Sequence, residues 1–130
     1  MRLLKDHLAI ALTLLWLIAC LAGSGCNKGA NRPPEALAPE QVAPTLNSAF
    51  KQASPEIKQA ANEAVSALQN KDEPRAFVQL QNLSTQSDLT AEQRQAAVRS
   101  MMSVLAQLQI AAANGNKAAE DLLQAYRSSK

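Results

Sequence analysis

Apolar and polar positions change their pattern twice along this chain. Residues 8–17 form an apolar run broken only by Thr13; residues 27–39 carry Gly29, Pro33, Pro34 and Pro39 among small polar residues with no sustained period; beyond them apolar residues recur every three or four positions to the end. That recurrence is the helical period, and no segment shows the strict alternation of a half-buried strand. The pattern predicts an all-α fold, a small antiparallel helical bundle or helical-hairpin array of four to five helices.

The helix ends are signposted by residue type. Val42, Leu46, Ala49 and Phe50 make the first stripe, with Pro39 or Pro44 suited to its opening turn, where a proline's missing amide forgoes no bond. Ser54 as cap, Pro55 at the first position and Ile57, Ala61, Ala64, Val65 and Leu68 at helical spacing predict a second helix that stops near Asn70. Past the interruption at residues 71–74, Ala76, Phe77, Leu80 and Leu83 define a short third helix. Thr90 and Gln93 have capping-box spacing ahead of the longest helix, whose main stripe is Ala97, Met101, Val104, Leu108 and Ala111. Gly115 after Asn114 suits its end, and Asn116 caps a final helix bearing Ala119, Leu122, Leu123 and Tyr126. Short connections favour antiparallel neighbours.

The longest helix has a second apolar face, made by Val98, Met102, Leu105 and Ala112. Met101 and Met102 are adjacent and so point about 100° apart, and only Met101 shares the main stripe. Such two-sided helices take a central place in a bundle or offer a docking face, here Val98, Met102 and Leu105.

Composition narrows the picture. Beyond residue 26 the aromatics are Phe50, Phe77 and Tyr126 while alanine is abundant, so helices approach closely but each contact buries little area. Modest stability, or weak association between copies, is the expectation. The formal net charge is +2, and the basic residues are interspersed with acids rather than gathered in a phosphate-tracking stripe, which argues against a nucleic-acid partner.

The start of the chain has the order of an export signal. Arg2 and Lys5 precede the apolar run, which ends among small residues; at about 15 residues, positions 8–22 fall short of the roughly 20 that a membrane-crossing helix needs. The domain reading is therefore a signal peptide over residues 1–19 or 1–25, a tether from residue 20 to residue 38, and a helical domain over residues 39–130.

Leu17, Ile18, Ala19 and Cys20 resemble the lipobox of bacterial lipoproteins, an aliphatic residue and two small or aliphatic residues before cysteine. Gly23, Ser24, Gly25 and Cys26 are similar to a permissive form of it and leave Cys26 as the alternative. The resemblance implies that one of these sulfurs takes a diacylglyceryl group, that cleavage falls just before it, and that two or three acyl chains then anchor the protein firmly to a membrane. Neither Leu21 nor Asn27 is the aspartate that holds some lipoproteins at the inner membrane, so the implied place in a two-membrane cell is the periplasmic side of the outer membrane. A disulfide between Cys20 and Cys26 is disfavoured, because cleavage at Cys26 would discard Cys20.

Two further resemblances are local. Residues 54–83 resemble one tetratricopeptide-type helical hairpin, with Ala76 at the family's small position in the second helix; Ala64 and Ala67 stand where that family has glycine and an aromatic. The lipidated start, alanine-rich helices and terminal Lys130 together resemble the murein lipoprotein, which implies a structural role joined to peptidoglycan, although that family has one unbroken heptad coil.

Catalytic designs find little to build on. The only histidine, His7, lies in the leader, which leaves the mature chain without imidazole for general-base work or zinc, and no glycine-rich phosphate loop occurs. The acidic pairs Asp72–Glu73 and Glu120–Asp121 sit at predicted helix starts, where negative charge complements the helix dipole. No catalytic residue, metal or cofactor is expected, and the expected partners are a membrane and an envelope protein or peptide.

Overall fold

Five α-helices and no strand make up the described residues, 34–129, of the computed structural model. Helix α1 is Pro39–Ala49, α2 Pro55–Gln69, α3 Glu73–Ser84, α4 Ala91–Ala113 and α5 Lys117–Ser128. The all-α bundle is thus realised with five helices.

Four of the five helix starts are fixed by the cap their sequence offers. Ser54 Oγ accepts from the Ile57 amide at 3.4 Å, Asp72 Oδ1 from Arg75 at 3.1 Å and Asn116 Oδ1 from Ala119 at 3.1 Å, each satisfying an amide that has no partner inside its helix. The capping box at α4 is complete: the Gln93 amide donates to Thr90 Oγ1 at 3.2 Å and the Thr90 amide donates to Gln93 Oε1 at 3.0 Å. Only α1 lacks a side-chain cap; Pro39 opens it and Pro44 lies inside it.

Two left-handed residues end helices. Gly115 has φ 86°, and its amide donates to the Ala112 carbonyl at 2.9 Å while Asn116 donates to Ala111 at 3.0 Å. Lys71 adopts φ 56° after α2, with Lys71 donating to Leu68 and Asp72 to Ala67. Both are Schellman-type closures that satisfy the last carbonyls.

Helix α4 is the hub, packing against α1, α3 and α5, while α2 lies on α3 and α1 and a smaller contact joins α3 to α5. Phe50, Phe77, Leu46, Leu80, Leu83, Leu108, Val42 and Val104 fill the core as essentially fully buried side chains. Ala64, Ala76 and Ala97 are equally buried, so the helices come close at alanine as the composition predicts. By length and composition α4 is long and apolar enough to cross a membrane, with a third of its most apolar stretch buried in the bundle.

The compact unit begins at Pro34, ahead of the helices. Leu37 is 8 % exposed and belongs to the core cluster. Its amide donates to the Arg99 carbonyl at 3.4 Å, and Arg99 Nε donates back to the Glu35 carbonyl at 2.8 Å. Residues 35–38, assigned by sequence to the tether, are in this way clamped to the middle of α4.

Candidate docking surfaces on the central helix

The buried side of α4 carries Gln93, Ala96, Ala97, Ser100, Ser103, Val104 and Leu108. Steps of 100° per residue put Val98, Met102 and Gln109 on the opposite side, with Ala106 and Ala113 beside them. The three docking residues expected from sequence divide. Leu105 is half-buried and packs against the core, whereas Val98 and Met102 are half-buried and stand apart from the core cluster. Ala106, Gln109 and Ala113 next to them are exposed, and Ile110 is 63 % exposed. From residue 100 to residue 116 no side chain ionises, and among the described residues Val98 and Met102 lie outside the core cluster that the other helices build with α4. The helix is central in the bundle.

A second surface is the cleft between α1 and the first half of α4, about 400 Å³, lined by Pro44, Thr45, Ser48, Ala49, Glu92, Gln95, Ala96 and Arg99. It is open and half polar, with Arg99, already bonded to Glu35, at its edge. A smaller groove of about 200 Å³ between α3 and α5 is lined by Phe77, Gln81, Leu122, Ala125, Tyr126 and Ser129.

The charged groups are arranged as surface features. Among the described residues, no cluster of histidine, cysteine, aspartate and glutamate has the spacing to hold a metal ion. Glu120 and Asp121 are exposed in the first turns of α5 and pair with Lys117 at 3.4 and 3.1 Å. The Asp121 hydrogen bond and charge, followed by Glu120, hold the Lys117 ammonium above its usual pKa of 10.5. Asp72 serves as the α3 cap.

Three features of α4 escaped the sequence. Ser100 and Ser103 are buried with hydroxyl oxygens that find no hydrogen-bond partner; their spacing from Ala96 and Ala97 places them on the core side, which is the one signal that could have found them. Gln93 turns its Nε2 inward to the Ala49 carbonyl at 3.3 Å, joining the head of α4 to the foot of α1. The third is the clamp on Glu35 and Leu37. Cys20, Cys26, His7 and Lys130 lie outside the described residues. No protein family model matches this chain, and neither does any curated protein or any solved structure.

Proposed function

We propose that this chain is a lipid-anchored protein of the bacterial cell envelope, whose helical body is a non-catalytic binding or scaffold module. The observation that carries the reading is the order of parts at the start of the chain. A basic residue pair, an apolar run too short to cross a bilayer and a cysteine after small residues are followed, within a short polar stretch, by a helical body beginning at Pro34. Export with replacement of the leader by acyl chains accounts for all of these together. Cys20 is the proposed acceptor and Cys26 its alternative.

The binding role is supported by the body itself. The face of α4 turned away from its buried side and the α1–α4 cleft are surfaces suited to a protein or peptide. The α2–α3 hairpin, with Ala76 fully buried, supports the likeness to a single tetratricopeptide unit, a framework for such contacts.

Mass spectrometry of the amino-terminal peptide from membrane-purified protein tests the anchor. The expected product starts at Cys20 or Cys26 and carries a diacylglyceryl mass. Intact protein in the cytosol, starting at Met1 with both thiols unmodified, overturns the reading. For the binding role, crosslinking in the envelope is expected to recover a defined partner, and its failure across growth conditions counts against it.

A further inference from the structure

We propose that Asn114 is a modification site, at which the Gly115 backbone nitrogen expels the side-chain amide as ammonia and water then leaves isoaspartate or aspartate, at a rate set by opening of the α4 terminus. Of the chain's asparagines only Asn114 is followed by glycine, the one residue whose lack of a Cβ leaves its nitrogen unhindered for attack on the preceding side chain. Asn114 and Gly115 are both exposed. A Cβ at Gly115 would meet nothing within 4 Å, so there is room for a ring to form, and no hydrogen bond holds the Asn114 carboxamide among the described residues. Asn47, Asn62 and Asn82 lie inside α1, α2 and α3, where the amide that follows each is tied into a helix.

The covalent change needs only water. The Gly115 nitrogen bonds to Asn114 Cγ, the Cγ–Nδ2 bond breaks, and the amide proton leaves with that nitrogen as ammonia, closing a cyclic imide. Water then adds to either imide carbonyl. Opening at Cγ gives aspartate; opening at the main-chain carbonyl leaves the chain running through Cβ and Cγ, which is isoaspartate. The folded helix end restrains ring closure in two ways. The Gly115 amide proton is held by the Ala112 carbonyl at 2.9 Å, and at the Asn114 ψ of 11° the Gly115 nitrogen lies nearly eclipsed with the nitrogen of Asn114 rather than turned toward its Cβ. The ring therefore closes from a locally opened state, and fraying of a last helical turn is among the least costly openings a protein makes.

The isoaspartate product undoes the joint it forms in. An extra backbone atom enters a connection closed by the Gly115 bond to Ala112 and the Asn116 bond to Ala111, and Asn116 is also the α5 cap through the Ala119 amide. The new carboxylate is the only ionised group between residues 100 and 116 and stands at the carbonyl end of α4, where the helix dipole disfavours it. With the closure lost, buried Ala119 and Leu123 and the contact of Tyr126 with Phe77 are left to hold α5, and α5 loosens from α4. The modification does not depend on the proposed anchor.

Ageing the full chain in buffer and mapping it by mass spectrometry tests the site, with electron-transfer fragmentation to tell isoaspartate from aspartate. The expected result is the mass gain of amide-to-acid exchange at position 114, isoaspartate in excess, matched by released ammonia and absent from Asn114→Gln. It is expected to be at least about tenfold slower than in the urea-unfolded chain. Ala113→Gly, at an exposed position of the last turn, is expected to speed it about three- to fivefold in the folded chain and to leave the unfolded rate unchanged. The isoaspartate fraction, separated by charge, is expected to exchange the amides of residues 119–126 at least about tenfold faster than unaged chain, with those of α2 unchanged. A folded chain that stays unmodified at 114 while the unfolded chain reacts, or that reacts first at another asparagine, overturns the site. Equal rates in folded and unfolded chain overturn the gating, and unchanged exchange in α5 overturns the loosening.

Discussion

Phe77 of α3 and Tyr126 of α5 meet edge to face, with ring centroids 5.2 Å apart and planes at 85°. The contact lies at the least extensive of the helix pairings, so one aromatic pair carries much of what holds α5 to α3. A double-mutant cycle of Phe77→Leu and Tyr126→Leu is expected to show a coupling of about 0.5–1.5 kcal/mol in urea unfolding. A coupling near zero would mean that the rings contribute only buried area.

The two left-handed helix ends predict opposite responses. Gly115→Ala is expected to lower stability by about 1 kcal/mol through φ alone, because a Cβ there meets nothing within 4 Å. Lys71→Gly relieves the same strain and is expected to raise stability by about 0.5–1 kcal/mol. Urea midpoints at unchanged slope check both.

Ser100→Ala and Ser103→Ala are each expected to stabilise the protein by about 1 kcal/mol. Each removes a buried hydroxyl that lacks a partner and places a better helix former in the interior of α4. A loss of stability in either variant would show that the hydroxyl is bonded in solution.

Gln93→Glu isolates the tie between α4 and α1. Glutamate keeps the acceptor that closes the capping box but loses the donor to the Ala49 carbonyl. The expected cost is about 1–2 kcal/mol, with amide exchange in residues 46–50 accelerated. Unchanged exchange there would show the link to be dispensable.

Because Lys117 has a raised pKa in the folded chain, its pairing with Asp121 and Glu120 is present below the ordinary lysine value of 10.5 and is lost as pH rises through the raised value. The pair is fully exposed, so added salt weakens it at any pH. Melting temperatures of the parent chain and Lys117→Ala are expected to converge at high pH or high salt. A gap that widens with pH would contradict the pairing.

The sequence spoke clearly where chemistry is local. A cap needs one side chain and an amide three residues away, so Ser54, Asp72, Thr90 with Gln93, and Asn116 mark their helices without knowledge of any neighbour. The apolar period likewise identified most of the core, including Leu46, Phe77, Leu80, Val104 and Leu108. What stayed hidden depends on residues distant along the chain. Leu37 is buried because α4 passes beside it, 62 positions later at Arg99, and its proline-rich surroundings carry no helical period. Ser100 and Ser103 are buried by neighbouring helices, and polar residues do not count toward an apolar stripe. Lys71 takes a left-handed conformation that only a glycine would have announced. Of the three residues of the second apolar face, Val98 and Met102 are half-buried outside the core cluster, while Leu105 packs against the core.

The grip of Arg99 on Glu35, with Leu37 seated just behind it, has a mechanical meaning. Tension on the chain ahead of Pro34 reaches the longest helix before it reaches the first turn of α1, and a guanidinium bond and a buried leucine must yield in succession before any helix unravels. Under the proposed anchoring, a body hung from its leading end has its strain relief built in, and jostling at the attachment point is absorbed outside the core.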